Sequence, residues 1–447
     1  MSDRLPHRSR TGPTAPAAGG PFRTGLFRPC HGGKNSLTFR RAPTMAVEER
    51  QKLPAGISQD LFDEVLSRAL ESIPRSDQRR WAELYVRGLL TVDGKKTMRG
   101  LAGGAGNSVE QSLYQFITKS TWQCGPVRRA VADLLTDRLN PRAWVAQPLV
   151  ITKIGEHSVG VERQWVPHIG RIVNCQQASG VWLVSEQGSC PVDWRLALPE
   201  CWTDHPERRR RASIPRHVDA APPEICAIGS VDRMAAEWRL PGKPVVTDLR
   251  DADPYAVCAE LNARQIPFVV RIDPASRFAL LEPFPQAPAA DHGGGADALT
   301  AALSRTTMPV EWYDHTTDTV RATSVGTTRV RMRRRRAGAP VLNERQEMVL
   351  LGAWTVRGRR TPGEYWLSNL SRPQLGTVYR TAMLARRVSD DLASVTDRLG
   401  ARDFEGRSFR GWHHHMTMVT VAHAVSVLAG VPAPAQVPAP RRAQVPA

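Results

Sequence analysis

The chain reads as an α/β protein in which an all-helical N-terminal segment leads into a mixed sheet flanked by helices, with a further group of strands inserted late. Three observations predict this. Apolar residues recur at helical spacing from Ser58 to about residue 140, and short β-branched runs bounded by turn formers come after Arg142. A strand–helix–strand unit between Lys243 and Ile272 then demands a parallel pair, because parallel strands need a crossover.

Residues 1–50 are rich in Arg, Pro, Gly and Ser without apolar periodicity, and are expected to be a disordered basic arm. A segment ahead of a true start at Met45 is the other reading. Behind a Ser58 cap, Leu61, Phe62, Val65, Leu66, Ala69, Leu70 and Ile73 form one helical face; Ser76 is expected to cap a second helix carrying Trp81, Leu84, Tyr85 and Leu89. After the glycine-rich break at 100–106, Ser108-Val-Glu-Gln111 has capping-box spacing and precedes Leu113, Phe116 and Ile117. A helix with Val127, Val131, Leu134 and Leu135 completes a helical domain over residues 56–140, read as either a DNA-binding head or a bundle that packs on the next domain.

The runs 148–152, 157–165 and 181–185 predict an antiparallel meander, and a helix is expected near 228–239. Lys243–Asp248, a helix from Tyr255 to Arg264, and Ile266–Ile272 make the parallel crossover. A Pro/Ala/Gly linker runs from Pro283 to about Ala296. Beyond it lie the alternating and then continuous charge of 328–336 and strands at 349–356 and 364–369. Helices are expected from about Leu375 to Leu399 and from Gly411 to Leu428, with a disordered Pro/Ala tail at 431–447.

Composition narrows the partners. The 447 residues are 41% hydrophobic, enough for a real core, and carry 61 Lys and Arg against 43 Asp and Glu, a formal charge of +18. Such an excess draws in phosphate backbones, so nucleic acid is the expected partner. No apolar run reaches the roughly 20 residues of a membrane span and no secretory leader is evident, so a cytoplasmic, nucleoid-associated protein is expected. The seven cysteines are scattered without a C-x-x-C pair, which favours reduced thiols over a zinc site at Cys175, Cys190 and Cys201.

The segment from Asp403 to Gly430, DFEGRSFRGWHHHMTMVTVAHAVSVLAG, resembles the C-terminal signature of a branch of bacterial insertion-sequence DDE transposases. Tyr85-Val-Arg-Gly-Leu-Leu90, His157-Ser-Val-Gly-Val-Glu-Arg-Gln164, Asn174-Cys-Gln176, Val245-Val-Thr-Asp248 and Tyr365-Trp-Leu-Ser-Asn-Leu370 resemble the same branch in the same order. The resemblance spans roughly residues 56–430. It implies an RNase H-like mixed sheet over 141–430, with a β-rich insertion at about 285–370 between the second and third acidic positions. It also implies two Mg²⁺ ions held by two Asp and one Glu, because two dications about 4 Å apart need several carboxylates to neutralise them. Homodimers on paired DNA ends are a further implication.

In this frame the second acid is Asp248, the only member of the triad retained and a metal ligand if the protein is active. Counting back from His157 puts Gln147 and Pro148 at the first acid, with Glu156 too late in the turn. The third acid belongs to a Y-x2-R-x3-E-x6-K pattern, and counting back from Phe404 puts Ser389 at its Glu and Thr396 at its Lys. A one-residue slip would bring Asp390 or Asp391 there, although one residue turns a helical side chain by about 100°. For the same reason His413, His414 and His415 cannot converge on one ion, and packing or DNA contact is expected of them. Phosphate-contact candidates are Arg329, Arg331, Arg333, Arg334, Arg335 and Arg336 in the charge run, and Arg386 and Arg387 beside the third acid.

The expectation is therefore a transposase-family DNA-binding protein that keeps fold and charge but lacks two catalytic carboxylates and needs no cofactor. The alternatives are an active, Mg²⁺-dependent transposase whose acids are displaced by local slips, and an interaction scaffold that binds no nucleic acid.

Overall fold

The computed structural model describes residues 52–280, 293–301, 303, 306–332, 347–356, 358–370 and 375–431. It opens with helices α1 (Gln59–Ala69), α2 (Ser76–Thr91), α3 (Met98–Leu101), α4 (Asn107–Thr118) and α5 (Cys124–Leu139). Ser58 caps α1 as expected, its Oγ accepting the Leu61 N–H at 3.2 Å. Two other caps differ from expectation. Arg75 occupies the cap position of α2 without a side-chain bond, and Ser76 is already helical. Gly106, not Ser108, precedes α4, because the chain enters that helix with φ of 100°, a left-handed conformation that glycine adopts without Cβ strain.

The sheet begins with β1 (Ala143–Thr152), β2 (Glu162–Val166), β3 (Arg171–Val184) and β4 (Ser189–Ala197). The expected strand at 157–165 shrinks to β2, with the Gly160 turn breaking the preceding residues. Short helices α6 (Glu200–Thr203) and α7 (Pro206–Ala212) and helix α8 (Pro223–Asp232), extended by a π turn at Arg233–Glu237, lead to β5 (Val245–Asp248), α9 (Pro254–Ala263) and β6 (Phe268–Arg271). β1, β5 and β6 are parallel neighbours, β3 runs antiparallel to β1, and β4 antiparallel to β3. The resulting order β4-β3-β1-β5-β6 is an RNase H-like core.

The extra strands do not form a separate layer. β7 (Arg277–Leu280), β8 (Gly293–Gly295), β9 (Met308–Asp314), β10 (Thr319–Met332), β11 (Met348–Trp354) and β12 (Glu364–Ser368) extend the sheet past β6 in the order β12-β11-β10-β7-β8, with β9 also on β10 and α10 (Ala296–Ala301) after β8. The extension starts at Arg277, earlier than the expected 285. The linker expected from Pro283 lies mostly outside the described residues, and its last part is β8. The N-terminal arm and the Pro/Ala tail after Val431 also lie outside them.

Helix α11 (Leu375–Asp391), with a π turn at Leu392–Thr396, and α12 (Phe409–Ala429) close the chain. α12 packs against α1, α2, α4, α5 and β4, which explains why it is apolar nearly all round: it is the axis around which the helical segment wraps. A buried ion network fastens these parts. Arg128 of α5 donates to Asp193 Oδ1 of β4 at 2.8 Å, to the Trp194 carbonyl at 2.8 Å, to Thr417 Oγ1 of α12 at 2.8 Å and to the His413 carbonyl at 3.0 Å. Burial alone would raise the Asp193 pKa, but Arg128 and Arg233 outweigh it and hold the carboxyl below its usual range.

Candidate active-site cleft

A cleft of about 820 Å³ opens at the carboxyl ends of β1 and β5. The two strands are paired up to Ala146–Thr247, so Gln147 and Asp248 emerge side by side one residue later. In a parallel ladder such neighbours share a face. Gln147, Pro148 and Asp248 all line the cleft. From α11 and its π turn come Ala385, Arg386, Ser389 and Leu392, spaced so that a single helical face meets the cleft.

Ser389 thus joins Gln147 and Asp248, whereas its two acidic neighbours are engaged elsewhere. Asp390 accepts from Thr316 Oγ1 at 2.5 Å, and Asp391 from Ser189 Oγ at 2.6 Å and Arg387 Nε at 3.3 Å. Thr396 is fully buried, its Oγ1 2.9 Å from His423 Nδ1. The Ser389 hydroxyl donates back to the Ala385 carbonyl at 3.1 Å.

Arginines surround Asp248. Arg250 grips Asp248 through Nε, 3.0 Å from each carboxylate oxygen, and Nη2 at 2.7 Å, while its backbone N–H caps Oδ1 at 3.1 Å. The hydrogen bonds to Asp248 push the Arg250 pKa up. Arg271, paired with Asp248 across the β5–β6 ladder, reaches Asp248 at 3.7 Å with one nitrogen and Glu364 at 3.4 Å with another. Arg386 lies 3.7 Å from Glu364 and over the Trp312 ring. Asp248 and Glu364 are therefore both paired with guanidinium groups, while Glu224 and Asp251 also line the cleft.

The donor set does not fit the two-dication site that the resemblance implies. Gln147 and Ser389, which line the cleft with Asp248, bring no charge to a cation, and Asp248 is held bidentately by Arg250. Among the described residues no group of three or more His, Cys, Asp or Glu could hold a metal ion, Cys175, Cys190 and Cys201 included.

The other expected site residues are dispersed. Arg329 and Arg331 lie two apart on β10, hence on one face, and pair with Glu347 at 3.5 and 3.7 Å. Arg333–Arg336 lie outside the described residues. Arg387 is mostly committed to the protein, donating to the Glu186 and Gln187 carbonyls at 2.9 and 3.2 Å and contacting His315 Nδ1 at 2.8 Å.

The histidine tract is internal. His414 lies between the Ile117 and Trp122 carbonyls, each 2.9 Å from a ring nitrogen, and stacks on Trp122. Burial pulls its pKa down to about 4 while the two acceptors pull the other way. His415 donates from Nε2 to the Gly400 carbonyl at 2.8 Å and accepts at Nδ1 from the Tyr85 hydroxyl at 2.9 Å, the bonding of a neutral ring. Packing accounts for all these contacts.

Sequence reading missed Arg250, Arg271 and Glu364. Arg271 had a usable signal: it occupies the same place on its strand as Asp248 does on the paired one. Glu364 had none, because its place in the cleft depends on β12 pairing with β6 from nearly a hundred residues away, Trp366 opposite Arg271.

The chain matches the family described as DDE superfamily endonuclease over residues 68–338, more than half its length, and belongs to that family. The match covers β1 and β5 but ends before α11, so the assignment of Ser389 rests on spacing and on the cleft. No curated protein matches the chain. Among the described residues no helix is long and apolar enough to cross a membrane.

Proposed function

We propose that this family member binds DNA on the nucleoid without cutting it. The observation that carries the reading is the pair where β5 ends: a neutral Gln147 of β1 stands beside Asp248, and Asp248 is neutralised by Arg250. In-line displacement at phosphorus in this fold depends on clustered carboxylates drawing in two cations. Here arginines supply the compensating charge to Asp248 and Glu364 with no cation added. The net charge of +18 supports DNA as the partner. Arg329, Arg331 and Arg386, with the run Arg333–Arg336, are our phosphate-contact candidates, and Arg387 a weaker one because its donors are largely spent. A homodimer joining two DNA segments belongs to the same proposal, and light scattering of the protein–DNA complex would detect it.

The test is duplex binding measured by anisotropy from 50 to 300 mM salt, in EDTA and again in Mg²⁺. Affinity that falls steeply with salt and is not strengthened by Mg²⁺ is the expected result. Weak retention insensitive to salt would instead favour a scaffold that binds no nucleic acid, and binding that requires Mg²⁺ would favour an active enzyme.

A further inference from the structure

The β2–β3 hairpin runs out past its neighbours. β1 ends at Thr152, opposite Cys175, and β4 ends opposite Gln177, so residues 171–174 of β3 pair with β2 alone. Closed by the turn Pro167–Ile169, the two strands make a ribbon at the edge of the sheet. Its faces differ. On one, Val166 and Cys175 are buried and Gln164 and Val173 partly so. The other carries Trp165 and, directly across the ladder, Ile172, each 58% exposed, with exposed Arg163 beside them by strand alternation.

All twelve tryptophans fall within the described residues, and Trp165 alone is exposed. Ile169 in the closing turn and Ile154, in the turn that the Asn174 carboxamide holds through the Lys153 and Gly155 carbonyls, extend the apolar surface. Cations border it. Arg171 opens β3 next to the closing turn, and at the ribbon's foot the Trp202 indole donates to the Val161 carbonyl at 2.9 Å, which ties α6 to β2 and brings exposed Arg210 and Arg211 of α7 close by. None of Arg163, Arg171, Arg210 and Arg211 makes an ion pair among the described residues. Apolar side chains bordered by unpaired cations match stacked bases bordered by phosphates. A second copy of the chain would instead set the same cations on both sides of the contact. A two-stranded ribbon is also slim enough to enter a DNA groove.

We infer that the β2–β3 ribbon is a wedge that bends duplex DNA: Trp165, backed by Ile172, enters a base step, and Arg163 takes a flanking phosphate. The inference rests on the DNA-binding reading above, and the experiment separates the two.

Energy transfer between dyes at the two ends of a short duplex reports the bend, and anisotropy reports affinity. One duplex carries a central TA step, which unstacks readily, and the other a stiff A-tract. With the wild type, energy transfer should rise at saturation and the TA duplex should bind severalfold tighter. Trp165→Ala combined with Ile172→Ala should return the transfer to that of free DNA and remove the TA preference, leaving A-tract affinity unchanged. Arg163→Ala should keep the bend but weaken binding and lower the salt slope by about one. The exposure of all three side chains makes these variants compatible with folding, and matched thermal melts would verify that. Energy transfer that does not rise in the wild type, or that survives the double variant, would overturn the wedge and leave DNA binding standing. So would a dimer of the free protein, seen by light scattering and broken by the double variant, which would assign this face to a second copy. Failure to bind either duplex would overturn both readings.

Discussion

Acidification from pH 7 to pH 5 should destabilise the fold through two buried histidines of α12. His423, like His415, has the bonding of a neutral ring: Nε2 donates to the Ser189 carbonyl at 2.9 Å and Nδ1 accepts from the Thr396 hydroxyl at 2.9 Å. Burial lowers the His415 pKa to about 4 and that of His423 to about 3, from a usual value of 6.5. As pH falls below 6.5 the unfolded chain takes up protons that the folded chain refuses, so stability is lost through that window until the folded pKa values are reached. At pH 5 the unfolded form gains about 2 kcal/mol per histidine, or about 4 kcal/mol for the pair. That is a large part of the ~5–15 kcal/mol of a typical domain. Urea denaturation at pH 7, 6 and 5 measures it, and His423→Gln should remove about 2 kcal/mol of the loss. Stability that is flat or rises between pH 7 and pH 5 would refute the reasoning.

Three other outcomes are expected. Asp193→Asn strands Arg128 and Arg233 without a buried counter-charge and should cost about 3–5 kcal/mol in urea unfolding. Helical and sheet probes should still unfold in one transition, since α12 joins the two; separate transitions would show that the helical segment folds alone. Glu347→Gln releases Arg329 and Arg331 and should tighten duplex binding severalfold at low salt, while Arg329→Ala with Arg331→Ala should weaken it and lower the salt slope by about two; unchanged affinities would remove β10 from the DNA contact. Gln147→Asp, Ser389→Glu and Arg250→Gln combined should create a Mn²⁺-dependent rise in Tm absent from the wild type, worth about 3 kcal/mol at a hundredfold excess over Kd. Equal responses in the two proteins would argue that these positions do not face one another as described.

Much of the fold was legible because it is local. The Ser58 cap, the periodic helices and the β5–α9–β6 crossover each arise from a few neighbouring residues. The strand at 157–165 was overdrawn because β-branched residues there cannot show that Gly160 turns the chain. The site was legible in part. Spacing from His157 and Phe404 put Gln147 and Ser389 at acid positions, and both line the cleft with Asp248. The arginine clamp was not, because it is made by strand ends brought together across long separations, and composition registers only their charge. Nor does composition distinguish an internal histidine tract from a ligand set. The hydroxyl and carbonyl partners of His414 and His415 come from α2, the Gly400 turn, α4 and the α4–α5 connection.

The most direct test of whether this family member holds DNA without cutting it is incubation with supercoiled plasmid and end-labelled duplex in Mg²⁺ and in Mn²⁺, under conditions where binding is saturated. The account predicts full retention of the DNA and no nicks above a metal-free control. Metal-dependent nicking that Asp248→Ala abolishes would contradict it.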